Sequence, residues 1–455
     1  MGVTEELCRL ITATRADTLG DECVRSTRRA IMDGIAVAVA GAGEPPVKLL
    51  AAHVKAQGGA PQSTVWGYGF RTSTVQAAYV NGVATHVLDF EPMWLPPTHA
   101  VSPTLPVGMA LAEARRRGGR EVTAAIAKGM EIQGRIQFAA NQFEPERLRF
   151  HPPGIAGVMG AAVTAAHLLG LNESQLAHAL GIAASRAGSL LANIGSMTKA
   201  THCGYAAASG LDAALLASRG FTANSAIFEA PRGFAATFYP EGFDSRRLLS
   251  YGRPFRIVDP GFAIKCFPSQ FATHWVIRAA LEARARISDP LVIERVVITT
   301  PVMHYIDRPR PATGLDGKFS FQYTAAAALL DGKVGISSFR DKRRFKPDME
   351  ALLGRIEMRH DPSIPGEWLG MRVRVEVTLR DGSRVEASCR GPKGAWGQEA
   401  LTDAEHAVKL RDCLRAGLDR KGVASLSALL ARFEDLTPAE LGKVVRLIAR
   451  RRGGG

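Results

Sequence analysis

Residues 77–106 read AAYVNGVATHVLDFEPMWLPPTHAVSPTLP, and their pattern sets the architecture expected of the whole chain. The box Ser73-x-x-Gln76 predicts a helix start just ahead of them. Ala77, Ala78, Gly82 and Ala84 give that helix, read over 77–87, very little side-chain volume. Such a helix is stabilised by close approach to other helices, which predicts a mainly helical fold. It carries His86 and Asp89 one turn apart and breaks into a loop holding Glu91, Trp94, Thr98 and His99. Pro92, Pro96, Pro97, Pro103 and Pro106 stiffen that loop, because each ring fixes its own φ and restricts its predecessor. A stiff loop with a carboxylate, a hydroxyl and an imidazole suits pre-positioned acid–base groups. It suits equally a structural loop whose polar groups satisfy its own backbone, and the segment alone does not separate the two.

The 455 residues are enough for a large core and for two or more domains. A hydrophobic fraction of 46% and a charged fraction of 22% are those of an ordinary globular protein. Apolar runs such as 34–43 fall well short of the roughly 18 residues a membrane helix needs. The opening MGVTEELCRL places glutamates where a secretory signal would be basic and then apolar, so the expectation is a cytoplasmic protein with no membrane partner. Six cysteines are scattered without a C-x-x-C pair, and no H-E-x-x-H or clustered ligand set appears, so no metal is expected. The net charge of +14 suits either nucleic-acid binding or a basic surface around an anionic-substrate site. The runs 115–117, 340–346 and 450–452 are dispersed and lack interleaved aromatics, which speaks against nucleic acid.

In chain order, apolar residues recur at helical period over 21–40, 108–116 and 121–138. His151-Pro152-Pro153 precedes a helix expected over 154–169, whose Gly154, Gly157 and Gly160 imply tight packing rather than a dinucleotide loop. Its N-terminus would favour an anion beside His151. Asn172-x-x-Gln175 caps the next helix, with Leu171 and Leu176 placed as a staple. After about residue 263 the pattern changes. Residues 291–299 read as a strand, 371–380 alternate cleanly, and Asp381-Gly382 signals a type I′ turn into a return strand through Cys389. Capping boxes at Thr402-x-x-Glu405 and Thr437-Pro438-Ala439-Glu440 bring helices back, and the RRGGG tail is expected to fray. The expected architecture is a large helical domain (1–264 and 399–455) interrupted by a smaller α+β domain (265–398).

The stretches VNGVATHVLDF, WLPPTHAVSPTLP, EIQGRIQFAANQFEPERLRFHPPG, LGLNESQLAHALGIAASRAG, TKATHCGYAA, AIKCFPSQFATHW and FSFQYTAAAALLDG, in this order, resemble the MmgE/PrpD family. That family comprises 2-methylcitrate dehydratases, cis-aconitate decarboxylases and iminodisuccinate epimerases, and the resemblance runs from about residue 33 to 405. It implies a large helical domain with an α+β lid, a homodimer, and catalysis without metal or organic cofactor. It further implies that Asp89, His99, His151 and Tyr323 are catalytic and that Lys199, Lys265 and Thr98 bind substrate. Each residue also has a plainer reading: Asp89 as a helix-end ion pair, the histidines as loop hydrogen-bonders, the lysines as surface groups, Tyr323 as a core aromatic. One departure stands out. Where the family often has Asp-Asp-Thr this chain has Glu91-Pro92-Met93, and the Met93 thioether replaces a hydroxyl.

The chemistry the resemblance implies is proton transfer at a carbon α to a carboxylate of a small di- or tricarboxylate, 2-methylcitrate-like. Lys199 and Lys265 would hold the developing aci-carboxylate, and His99 and His151 would move protons. Asp89 would orient an imidazole, and Tyr323 would arrive from the lid on closure. Loss of water, loss of CO2 and epimerisation all share this logic. A basic binding protein that kept the fold without the catalysis is the alternative from another class.

Overall fold

The computed structural model describes residues 2–449; the RRGGG tail, 451–455, lies outside them. Helix takes 55% of the residues and the strands form small sheets, in line with the mainly helical reading. Two hydrophobic clusters organise the chain. The first gathers residues from Leu7 to Ile257 and again from Leu410 to Ile448; the second runs from Ala263 to Ala395 and also takes in Met93 and Leu95. Among the described residues no single helix is long and apolar enough to cross a membrane.

The helix on which the reading rests runs Thr74–His86, capped by the Ser73 hydroxyl accepting from the Gln76 N–H. The Gln76 side chain turns away to Gln57, so only half of the expected box forms. This helix packs against Met197–Ala217, Val101–Arg115 and Asp21–Gly41. At its closest crossing a Cβ on Gly82 would stand 2.7 Å from the Gly204 Cα and 3.2 Å from the Ser102 carbonyl oxygen, so the contact exists only with glycine there.

Three local readings change. The proline-dense loop ends at Ala100, because Val101–Arg115 is already helical and contains Pro103 and Pro106. Pro103 sits in the first turn, where no backbone N–H is needed. Pro106 lies inside the helix and frees the Ser102 carbonyl that Gly82 approaches. Ahead of Val158–Leu169 the segment Pro153–Gly157 forms a wider π-helical turn. Pro152 and Pro153 bring no N–H to that end and the Gly154 N–H is spent on the His151 carbonyl, so the expected anion site is depleted. The hairpin turn differs too. Only Gly382 has positive φ, the Gly382 N–H meets the Leu379 carbonyl and the Leu379 N–H meets the Ser383 carbonyl. That is a three-residue turn with a glycine bulge rather than type I′.

The second cluster is built on a four-stranded sheet. Ile293–Thr300 lies between parallel Ile356–His360 and antiparallel Val373–Leu379, which pairs in turn with Arg384–Cys389. The helices Thr273–Arg284 and Phe321–Asp331 pack against each other beside it. The capping boxes at Asn172, Thr402 and Thr437 form as read.

Candidate active site

The Gly82–Gly204 crossing places the chemistry. One turn beyond Gly82, His86 Nε2 meets Lys199 Nζ at 2.9 Å; His202 follows Lys199 on the same helix face. Immediately after His86 the chain turns sharply, with Asp89 in the left-handed region at φ 50°. Aspartate tolerates that region better than most side chains. Three ammonium groups from far along the chain hold the turn by successive carbonyls. Lys318 donates to Leu88 O at 3.0 Å, Lys265 to Asp89 O at 3.0 Å, and Lys409 to Phe90 O at 2.8 Å. Further on, Arg256 donates to Leu95 O, Gln137 to Pro97 O and Gln133 to Ala100 O. The loop satisfies only part of its own backbone, as where the Trp94 N–H meets the Thr98 carbonyl; other elements satisfy these carbonyls through side chains, which fixes where its acids and imidazoles point.

Asp89 is the hub. One carboxylate oxygen accepts from Lys199 at 2.5 Å and the other from Lys265, whose ammonium is completed by the Ser269 carbonyl at 3.0 Å. Glu91 is a second hub: its Oε1 lies 2.5 Å from His86 Nδ1, 3.1 Å from the Ser102 hydroxyl and 3.0 Å from His99 Nδ1. Its Oε2 has no partner. His99 Nε2 stands 3.8 Å from Asp89, and His151 Nδ1 lies 3.3 Å from His202 Nδ1.

Burial alone would raise both carboxyls. Lys199 and Lys265 hold Asp89 well below its ordinary value, and His86 and His99 hold Glu91 below its own. The imidazoles move the other way. Burial, helped by Lys199, brings His86 down to about 4 and His202 to about 4, and pushes His151 well below 6.5; burial lowers His99 against the pull of Glu91. Near neutral pH these rings are uncharged proton acceptors. Since Lys199 donates to His86 Nε2, the His86 proton sits on Nδ1 and is donated to Glu91.

This predicts acid lability. In the unfolded chain His86 and His202 bind protons at about 6.5, in the folded protein only near 4. Below 6.5 the unfolded state gains protons the native state refuses. Each ring then removes about 3 kcal/mol as pH falls through that window. Denaturant melts between pH 7 and 4 should show the loss, and a His86→Gln, His202→Gln double variant should show less of it by the share of these two rings, while His151 and His99 still contribute.

A small cavity of about 60 Å³ opens onto this cluster, and its apolar wall comes from the second hydrophobic cluster. Of the residues expected from the sequence, Asp89, Thr98, His99, His151 and Lys199 line it, and Lys265 stands behind Asp89. Tyr323 does not reach it. Its hydroxyl donates to the Ser338 carbonyl and its ring packs on Gly317, since Ser320 caps the Phe321–Asp331 helix and turns the tyrosine inward. The tyrosine on the wall is Tyr305, which accepts from Gln270 at 2.7 Å and keeps its own O–H free to donate. Nothing in the sequence around Tyr305 marked it. His202, three residues after Lys199, carried a readable signal in its helical spacing. His86, His99 and His151 also bring ring nitrogens within 4.8 Å of one another, a spacing able to hold a metal ion that no sequence motif announced. His86 has Lys199 on one nitrogen and Glu91 on the other, so a cation there would have to displace an ammonium.

Neutral imidazoles and an ammonium around a small pocket define an acid–base catalyst, and comparison with known proteins agrees in kind. The MmgE/PrpD N-terminal domain matches residues 5–245 and the MmgE/PrpD C-terminal domain matches residues 267–435. Cis-aconitate decarboxylase of Mus musculus is 33% identical over 95% of this chain and 91% of its own, and that of Homo sapiens is 32% identical over 95% and 92%. A 2-methylcitrate dehydratase of Cupriavidus necator is 25% identical over 70% of each chain. The chain belongs to the MmgE/PrpD family, and it is an enzyme.

Proposed function

We propose that the protein is a lyase that decarboxylates a β,γ-unsaturated polycarboxylate of the cis-aconitate kind. The observation that carries the reading is the presence of uncharged His99 and His151 with the Lys199 ammonium on the lining of one small, largely apolar pocket. In the step, a proton goes onto the alkene carbon α to the retained carboxylate. The bond to the departing carboxylate breaks, its electron pair forms the new double bond, and CO2 leaves. Lys199 faces the retained carboxylate, where charge develops, and an imidazole relays the proton from solvent. The similarity to cis-aconitate decarboxylases over nearly the whole chain moves the preference from dehydration, expected first from the sequence, to loss of CO2.

Incubation with cis-aconitate and with 2-methylcitrate in D2O, followed by NMR, tests this. CO2 release with one deuterium in the product is expected. Water loss without CO2 would make the enzyme a dehydratase, and deuterium entry without either loss an epimerase. No chemistry with any polycarboxylate would overturn the proposal.

A further inference from the structure

The wall of the pocket is short of positive charge. Among the described residues Lys199 is the one Lys or Arg that lines it, and its ammonium already serves Asp89 and His86. Lys265 is fully used by Asp89 and Ser269, and Lys318 by the Leu88 and Pro268 carbonyls. Asp89 itself is an anion on the wall. Lys199, Lys265 and Lys318 stand against the carboxylates of Asp89 and Glu91, so the neighbourhood holds little net charge to receive a trianion.

Much of the remaining wall is apolar: Met93, Leu148, Phe271, Trp368 and Phe319, whose ring centre lies 5.0 Å from Lys199 Nζ. Met93 stands there because Met93–Trp94 pairs with Phe262–Ala263, which fixes its side as well as its depth. Two buried donors on the wall have no partner. The Thr98 hydroxyl and the Trp368 indole N–H make no hydrogen bond, and both residues are less than a twentieth exposed. A buried donor without an acceptor is unfavourable and points to a ligand atom that completes it. With the free Tyr305 O–H, these donors can serve one carboxylate beyond the one Lys199 holds. A third carboxylate would be buried against thioether, phenyl and indole with no cation of its own, since Lys199 is already engaged, which is strongly unfavourable.

We propose that the enzyme's substrate is an unsaturated dicarboxylate in which an apolar group takes the position of the central carboxylate of cis-aconitate. The inference rests on the decarboxylase reading for which carboxylates are needed, one departing and one activating the alkene. The 3-alkylglutaconates have both, and their alkyl branch meets Met93 and the aromatic wall.

The test compares 3-methylglutaconate with cis-aconitate, which differ at that one position, by calorimetric titration and by CO2 release in D2O. Binding of 3-methylglutaconate at least about tenfold tighter than cis-aconitate is expected. Equal or tighter binding of cis-aconitate overturns the inference and leaves the decarboxylase reading standing. Tight binding of 3-methylglutaconate with neither CO2 release nor deuterium entry overturns the decarboxylase reading and keeps the ligand class. Binding of neither overturns both.

Discussion

Exchanging Asp89 for asparagine is expected to lower turnover about a hundred- to a thousandfold and to lower stability by about 3–5 kcal/mol. Both effects have one origin. The carboxylate is the shared counter-ion of two buried ammonium groups, Lys199 and Lys265, and asparagine leaves them facing each other without it. Asparagine is the informative replacement because it also tolerates the left-handed backbone found at this position. The turn should therefore survive and the loss should report charge alone. Denaturant melts and steady-state kinetics on the same preparation check this. Stability within about 1 kcal/mol of the parent would show that Asp89 is not the counter-ion described.

Replacing Lys199 by methionine is expected to be nearly as damaging to turnover, about a hundredfold or more, with the fold retained. Asp89 keeps Lys265, so no charge is orphaned. The distinguishing readout is the neighbouring imidazole. After burial, Lys199 is the largest cause that holds His86 at about 4, so His86 should titrate at higher pH in the variant. Two-dimensional NMR of the histidine rings would follow it. An unmoved His86 together with normal turnover would remove Lys199 from the proposed mechanism.

What could be read from the chain beforehand follows the range of the interaction. The boxes at Asn172, Thr402 and Thr437 are complete within four residues, and the alternation of Val373, Val375 and Val377 needs only one strand. Both were readable for that reason. The Asp381-Gly382 turn was misjudged because its type depends on which residue takes the left-handed conformation, and only Gly382 does. The helix containing Pro103 and Pro106 was hidden because packing overrode an unfavourable local preference.

The site divides in the same way. Asp89, His99 and His151 came from the family resemblance and do share one cavity. Lys199 and Lys265 came from the same resemblance, as substrate binders; that Lys265 instead holds the Asp89 turn, and that Lys318 joins it, could not be seen, since their partners lie 176 and 230 residues away. Tyr323 was misplaced for a related reason. Whether a tyrosine faces the cavity or the core depends on the helix cap at Ser320 and on Gly317, not on its own flanking residues.

The three lysines on the carbonyls of Leu88, Asp89 and Phe90 also bear on the order in which the molecule is finished. The turn is made early in synthesis, whereas Lys409 belongs to the helix Asp403–Arg415, near the end of the described chain. A nascent chain on the ribosome can pack the Thr74–His86 helix against its neighbours long before that residue emerges. Until then Asp33 waits for Lys409 and His406, and the Phe90 carbonyl for its ammonium. The turn that carries Asp89 is thus fully held only once the C-terminal helix Asp403–Arg415 is in place.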